Sequence, residues 1–449
     1  MKALTLDAEN KTATVQDVPI PSPGPNELLV AVKAIALNPV DALYTSQPLG
    51  STGRVVGSDF AGLVVARGPT PTSSPRSPSD AQDSNNGEPP RFGFGSSRLR
   101  RSSTTLSTRV INRGDRVAGF LQGACSANER PGAFAEYVVC PADLVWRVPG
   151  RVPYEEAAAV SLCGLTAAQG LFFRLGLEAP FRWEDESDEG VLKRVRSEGS
   201  DDGGGAGARG QQQQQQQRRV VSFFVSGAST SVGMYVAQLV RRSSEHTGRR
   251  IRLIGAANPR NWDILKEEPY AYDHLVDYRD RNWPEQVRRA SSGGVHYAYD
   301  AISEGSTVRE VSSTLREGGR LAVVRSKEAG AWETEGVSTE PIYGAVWEGL
   351  GEDVEYQKFV VHTSPAKRSF ATAFYKWLSD GGLLEPNPIR LMPGGLEKVV
   401  PDGFTVLGTG VTSRGHGRTE QHMRPISGEK LVYKIETERR GSFGDGHIA

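Results

Sequence analysis

Apolar positions change period twice along this 449-residue chain. Over residues 1–68 and 109–150 they alternate with polar ones, broken by glycine and proline. Glu27-Leu-Leu-Val-Ala-Val-Lys33, Gly62-Leu-Val-Val-Ala66, Asp115-Arg-Val-Ala-Gly119 and Phe134-Ala-Glu-Tyr-Val-Val139 are examples. A period of two with such punctuation predicts an antiparallel, barrel-like β module. From Pro153 the period becomes helical, over Tyr154–Val160 and Thr166–Leu175. Strands then alternate with helices: Val220–Val225, a helix through Val240, Ile251–Gly255, a helix near Trp262–Glu267, His274–Asp277, a helix near Trp283–Ser291, Tyr297–Asp300, a helix near Thr307–Leu315, and Arg320–Val324. Alternation of this kind predicts a parallel, doubly wound sheet. A last helix, Ser369–Ser379, precedes renewed β text at Ile389–Met392 and Glu429–Lys434. The expected architecture is α/β in three stretches: residues 1–158 in the β module, 159–350 in the doubly wound domain, and 351–449 returning to the β module.

Three segments read as insertions. Residues 69–108 are Ser/Pro- and Arg/Ser-rich and are expected to be disordered, since they bury too little apolar surface to offset the entropy of ordering. Residues 182–219 run from acidic to glycine-rich to the polyglutamine tract Gln211–Gln217. They read as a tolerated low-complexity loop, with a glutamine-mediated interaction element as the other reading. Residues 413–424 read as a polar loop at a hairpin tip.

Hydrophobic content of 37% and a mean hydropathy of −0.42 fit a chain carrying such polar segments. Lys+Arg and Asp+Glu balance at 53 each, so charge points to neither nucleic acid nor an acidic surface as partner. The three cysteines, Cys125, Cys140 and Cys163, show no CxxC spacing, and their odd number does not suit a disulfide framework. The first residues carry no signal-type apolar core, and no uninterrupted apolar run reaches the roughly 18 residues of a membrane span. The expectation is a cytoplasmic protein with no membrane partner.

The stretch Val220–Val240, VVSFFVSGASTSVGMYVAQLV, carries the chemistry. An apolar strand breaks into a turn of small residues and passes at once into a helix. Such a unit cradles a dinucleotide pyrophosphate, because small residues admit the phosphates to the backbone and the helix start offers free N–H groups. Gly227, Ser229, Thr230, Ser231, Val232 and Gly233 are the candidate contacts. A Ser/Thr helix cap without a ligand is the competing reading. The second strand ends Ala256-Ala-Asn258-Pro-Arg260 and offers no acid before Asp263, where an NAD enzyme needs one for the ribose 2′-hydroxyl. Asn258 and Arg260 suit a 2′-phosphate instead, a shape that a guanidinium matches, so NADPH is the expected cofactor. Arg260 as a solvated surface charge is the alternative.

The order β module, nucleotide-type domain, β return resembles the medium-chain dehydrogenase/reductase superfamily. Asn38-Pro-Val-Asp41, Gly57-Ser-Asp-Phe-Ala-Gly62, Gly114-Asp-Arg-Val117, Gly132-Ala-Phe-Ala-Glu-Tyr137, Gly164-Leu-Thr-Ala167 and Gly318-Gly-Arg320 resemble its motifs in order. Asn387-Pro-Ile-Arg-Leu-Met-Pro-Gly-Gly395 and Ser427-Gly-Glu-Lys-Leu-Val-Tyr433 are similar to fungal trans-acting enoyl reductases, ToxD-like and quinone oxidoreductase-like members. The resemblance implies a GroES-like β-barrel catalytic domain plus a Rossmann-type domain. Where zinc-dependent relatives have Cys, His-Glu and Cys, this chain has Asn38, Ser58-Asp59 and Cys163. One soft ligand does not make a catalytic zinc site, so no metal is expected, and Cys163 reads as a packing residue. By resemblance, Asn38 and Thr166 lie at the nicotinamide, Tyr278 stacks beside the 2′-phosphate, and Ile302 lines the nicotinamide ribose. Asn38 as a turn residue and Thr166 as a helix-interior residue are the plainer readings. Tyr44 is a candidate proton donor or a packing residue, and Asp41 a turn residue or a base. Leu43 stands where several fungal trans-acting relatives carry a lysine.

The implied function is zinc-independent, NADPH-dependent hydride transfer to an activated C=C bond or a quinone, by a monomer or homodimer acting on a small-molecule or carrier-bound acceptor. The alternatives are a trans-acting enoyl reductase working on a carrier-bound polyketide thioester, and a non-catalytic NADPH-binding sensor or scaffold.

Overall fold

The computed structural model describes residues 1–69, 110–183, 220–382, 384–410 and 414–436. The two long insertions expected at 69–108 and 182–219 lie almost wholly outside the described residues.

The alternating segments form one large sheet. Its strands are β3 (Glu27–Ala36), β4 (Gly57–Arg67), β5 (Arg116–Gly123), β6 (Tyr137–Pro141), β7 (Val145–Arg147), β16 (Ile389–Leu391) and β17 (Lys430–Lys434), in the order β16-β17-β3-β4-β5-β7 with β6 on β3. β1 (Lys2–Asp7) and β2 (Thr12–Asp17) pair as a separate antiparallel ribbon. The pairs around β3, β4 and β5 are antiparallel, and Phe60, Val64, Val117, Phe134 and Leu431 fill the interior. A short helix, α1 (Pro39–Ser46), leaves the end of β3.

The second sheet is parallel throughout. Its strands are β8 (Val221–Ser226), β9 (Ile251–Ala256), β10 (His274–Val276), β11 (Val295–Asp300), β12 (Leu315–Val323) and β13 (Ile342–Tyr343), in the order β10-β9-β8-β11-β12-β13. The order reverses between β8 and β11, and a crevice opens beyond their carboxyl ends at such a switch point. Helices α2 (Tyr154–Ala157) and α3 (Ser161–Ala168) run into a π-helical segment, Gln169–Arg174. By length and hydropathy the stretch Tyr154–Arg174 matches a membrane span, but 89% of its apolar window is buried inside the protein. Its hydrophobicity is that of a core helix. Helices α4 (Ser231–Thr247), α5 (Trp262–Lys266), α6 (Trp283–Ala290) and α7 (Thr307–Ser313) connect the parallel strands.

A hairpin of β14 (Val354–Glu355) and β15 (Val360–Val361) leads into α8 (Pro365–Ser379), capped by the Ser364 hydroxyl. The α8 residues Phe370 and Phe374 pack with Phe173 and Phe181. Arg368 meanwhile holds Asp143 of the β module at 2.6 Å. The segment 413–424 is no hairpin tip, because β16 and β17 pair in parallel and need a crossover. Its described part, 414–424, is irregular apart from a short turn at Gln421–Met423, and Arg418 ties it to buried Asp402 at 2.8 Å.

Candidate functional site

The switch point is built around Gly227. Its φ of +72° is one that glycine adopts without strain, and a Cβ there would meet Ile302 Cδ1 at 2.8 Å. Gly227 after β8 and Ile302 after β11 therefore face each other across the crevice. Gly233 lets the first turn of α4 close on this loop, since a Cβ would lie 2.2 Å from the Gly227 carbonyl.

Thr230 is the helix cap. Its Oγ1 accepts the Gly233 N–H at 3.0 Å and donates to the Gly227 carbonyl at 2.8 Å. The Thr230 hydroxyl proton is thus spent within the loop. Among the described residues the N–H groups of Ser231 and Val232 have no protein acceptor, as first-turn amides facing a ligand would not. Asn387 donates to the Ser231 carbonyl at 3.1 Å, yet its own Oδ1 is buried without a partner among the described residues. A small-residue cradle, two free amides and an orphaned acceptor fit a dinucleotide.

Farther along the crevice, Ala256 at the end of β9 pairs with Val276 at the end of β10. Asn258–Arg260 and Tyr278 therefore follow neighbouring strand ends. Asn258 uses its Oδ1 to accept the Arg260 N–H at 3.1 Å, a turn-capping role. Arg260 is exposed and carries no ion pair among the described residues, whereas nearby Arg279 is paired with Asp277 at 2.7 Å. Tyr278 is 53% exposed.

In the β module, Asn38, Asp59 and Cys163 converge, and a fourth residue that the sequence did not single out joins them. Lys430, at the start of β17, is 3% exposed and donates to Asp59 Oδ2 at 2.6 Å, Asn38 Oδ1 at 3.0 Å and Cys163 Sγ at 3.4 Å. Burial alone would lower its pKa, but the Asp59 carboxylate beside it outweighs that and raises it. A cation thus already occupies the centre of this cluster. Cys163 is buried and its pKa is raised, chiefly by desolvation.

Asn38 is wholly committed. Its Nδ2 donates to Ser58 Oγ at 3.1 Å and Asp59 Oδ2 at 2.9 Å, and its Oδ1 accepts from Lys430 and Cys163. At 2% exposure it has no polar atom left for a nicotinamide. Its role in this structure is the turn and the cluster. Thr166 is partly exposed, and its hydroxyl donates back to the Leu162 carbonyl at 2.8 Å, leaving only oxygen lone pairs for a ligand. Asp41 accepts the Asn38 N–H at 2.8 Å and the Ser58 hydroxyl at 2.8 Å. Burial, reinforced by Asp59, pushes its pKa up to about 7 against these hydrogen bonds and Lys430.

Tyr44, on α1, lies 6.3 Å from the Tyr356 ring, which stacks on Phe359 at 4.8 Å. Burial, with Cys125, raises the Tyr44 phenol to about 12 against the pull of Arg325, so it stays protonated at neutral pH. An open cavity of about 420 Å³ that includes Phe359 of this row is also lined by Tyr343, Arg174, Glu348, His362 and Lys367.

No protein-family model matches the chain. It is 27% identical to the trans-enoyl reductase traG of Penicillium crustosum over 445 residues, 96% of each chain. The CurK enoyl reductase structure matches with a TM-score of 0.59 at 15% identity, covering 97% of this chain and 99% of that one. A mycobacterial protein solved with NADPH matches with a TM-score of 0.55 at 19% identity, covering 97% of this chain and all of that one. These likenesses span both sheets: over nearly its whole length the chain is similar to fungal trans-enoyl reductases, and its fold is like that of solved enoyl reductases.

Proposed function

We propose that this chain is a zinc-independent, NADPH-dependent reductase of an activated C=C bond, in an enone or enoyl compound, or of a quinone. A GroES-like barrel and a Rossmann-type domain would form the two walls of its cleft. The observation that carries the reading is the crevice at the strand-order reversal, where Gly227, Ile302 and the free amides of Ser231 and Val232 meet. When bound there, the nicotinamide supplies the hydride.

The remaining roles belong to the chain. Gly227, Ser229, Ser231, Val232 and Gly233 hold the pyrophosphate, and the Arg260 guanidinium, without an ion pair among the described residues, meets a 2′-phosphate beside Tyr278. Ile302 packs on the nicotinamide ribose, and Thr166 offers an acceptor lone pair near it. Tyr44 holds a proton beside the aromatic row and would polarise a carbonyl or protonate a carbanion. Lys430 keeps Asp59 and Asn38 fixed behind the site. The protein is read as cytoplasmic.

The relatives' names favour a second, narrower reading, in which the acceptor is an enoyl thioester on a carrier and the enzyme acts in trans. It predicts that a carrier-tethered enoyl substrate outperforms free enones.

Nicotinamide fluorescence titration of NADPH and NADH, on wild type and Arg260→Ala, tests the cofactor assignment. The expected result is tight NADPH binding that weakens by about tenfold in the variant, the scale of one charge-assisted pair, while NADH binding holds. Failure of wild type to bind either cofactor would overturn the reading.

A further inference from the structure

Buried polar atoms without partners gather on one turn at the end of β5. Gln122 is 1% exposed, yet among the described residues both its Nε2 and Oε1 lack a partner, and so does Oγ of Ser126, which is wholly buried. Arg54 reaches the same turn and donates from Nη1 to the Ser126 carbonyl at 2.6 Å. Its Nε and Nη2 are buried and find no partner among the described residues. Those two groups form one edge of the guanidinium, the edge that grips a carboxylate or phosphate through two parallel hydrogen bonds. Gly50 makes room for this pose, since a Cβ there would lie 2.5 Å from Arg54 Nη1.

Burying an unpaired amide, hydroxyl and guanidinium edge together costs several kcal/mol by general estimates, so a fold that keeps them calls for an occupant. The turn adjoins the aromatic residues around Tyr44. Gln122 lies two residues beyond Phe120, whose ring is 5.7 Å from Trp347. Beyond it the chain is fastened to the β14–β15 hairpin, Ala127 N–H to the Glu355 carbonyl at 2.9 Å and Glu355 N–H to Asn128 at 2.7 Å. Tyr356, the next residue on that hairpin, neighbours Tyr44.

We propose that Arg54, Gln122 and Ser126 form an acceptor subsite for an oxyanion-bearing substrate. A carboxylate or phosphate sits on the Nε/Nη2 edge of Arg54, and a neighbouring amide or hydroxyl pairs with Gln122 and Ser126. The subsite deepens the reductase reading and rests on it. The shared chemistry is an oxyanion, supplied either by the acid group of a free enoic acid or by the phosphate of a pantetheine-type arm.

The test is calorimetric titration of NADPH-loaded protein with crotonate and, separately, with S-crotonyl-pantetheine 4′-phosphate, alongside turnover of both and of a neutral enone. The proteins are wild type, Arg54→Gln and Gln122→Met. Arg54→Gln should weaken at least one oxyanion ligand by about tenfold or more, the size of a charge-assisted contact. It should lower kcat/KM for that ligand relative to the neutral enone by the same factor. A loss confined to crotonate identifies a carboxylate site, and a loss confined to the phosphate ester identifies a carrier-arm site. Gln122→Met removes an unpartnered buried amide, so its Tm should match or exceed wild type while its affinity for the pantetheine phosphate ester, the ligand that carries amides for Gln122 to pair with, falls. Equal affinity of Arg54→Gln and wild type for both ligands would overturn the subsite. Absence of any turnover by wild type would instead refute the reductase reading, with the calorimetry still deciding the subsite.

Discussion

Replacing Lys430 with methionine keeps the aliphatic stem and deletes the charge, leaving the Asp59 carboxylate buried without its cation. The two side chains are 2% and 0% exposed and lie 2.6 Å apart, so solvent does not compensate. Breaking a buried pair from one side costs about 3–5 kcal/mol. Asp59 keeps two donors, the Leu162 N–H at 2.9 Å and Asn38 Nδ2 at 2.9 Å, which sets the expectation at the lower end, about 3 kcal/mol. In the variant Asp59 can escape by taking up a proton. Its folded-state pKa would then lie above the unfolded value, so the penalty is lifted in acid and grows as pH rises through the folded pKa. Urea unfolding at pH 5 and pH 8, followed by intrinsic fluorescence, should show the larger loss at pH 8. The double variant Lys430→Met/Asp59→Asn, with no charge left to pair, should recover most of it, giving a coupling energy of about 2 kcal/mol or more. A loss below about 1 kcal/mol, a loss equal at both pH values, or a double variant no better than the single would refute the reasoning.

Asp41 gives a pH effect in the wild type. Its folded pKa of about 7 exceeds the 3.8 of the free side chain, so its contribution is fully present below 3.8 and is lost as pH rises towards and through 7. Asp41→Asn mimics the protonated form and should flatten the decline of stability between pH 5 and 8 in urea melts; an unchanged slope would assign the titration elsewhere. Thr230→Ala removes the α4 cap and orphans the Gly233 N–H, so it should cost about 1 kcal/mol by the same melts. Tyr44→Phe should cut kcat for an enone by about 10²-fold or more, with NADPH affinity held, if the phenol transfers a proton; an unaltered kcat would leave Tyr44 as packing.

The two sheets and their boundaries were legible because local pattern specifies them. A period of two gave β3, β4 and β5, and a strand–helix alternation gave β8 through β12, within one or two residues at most ends. The turn after Val225 was legible because glycine and small residues have few other reasons to stand between a strand and a helix. Less legible was the continuation of α3 into a π-helical segment. Gly170 yields there to the Tyr299 ring, which a Cβ would approach to 2.3 Å, a contact 129 residues away that no local pattern encodes. The hairpin expected at 413–424 failed because strand direction depends on the partner, and β16 and β17 run parallel.

Site residues divide in the same way. The amino-acid sequence by itself determined the residue types present: small residues at the phosphate turn, no acid after β9 before Asp263, and asparagine, aspartate and one cysteine at the cluster. Only the tertiary structure decided how their hydrogen bonds are spent. Thr230 and Asn258 turned inward as caps, and Asn38 was consumed by four partners. Lys430 at the head of β17 became the buried counter-ion of a residue 371 positions earlier. A buried Asp59 within an apolar strand was the signal that a cation had to come from somewhere. A side chain's polar groups have a fixed valence, and the sequence lists the donors and acceptors, but folding chooses which pair within the protein and which, like those of Arg54 and Gln122, are left for something else.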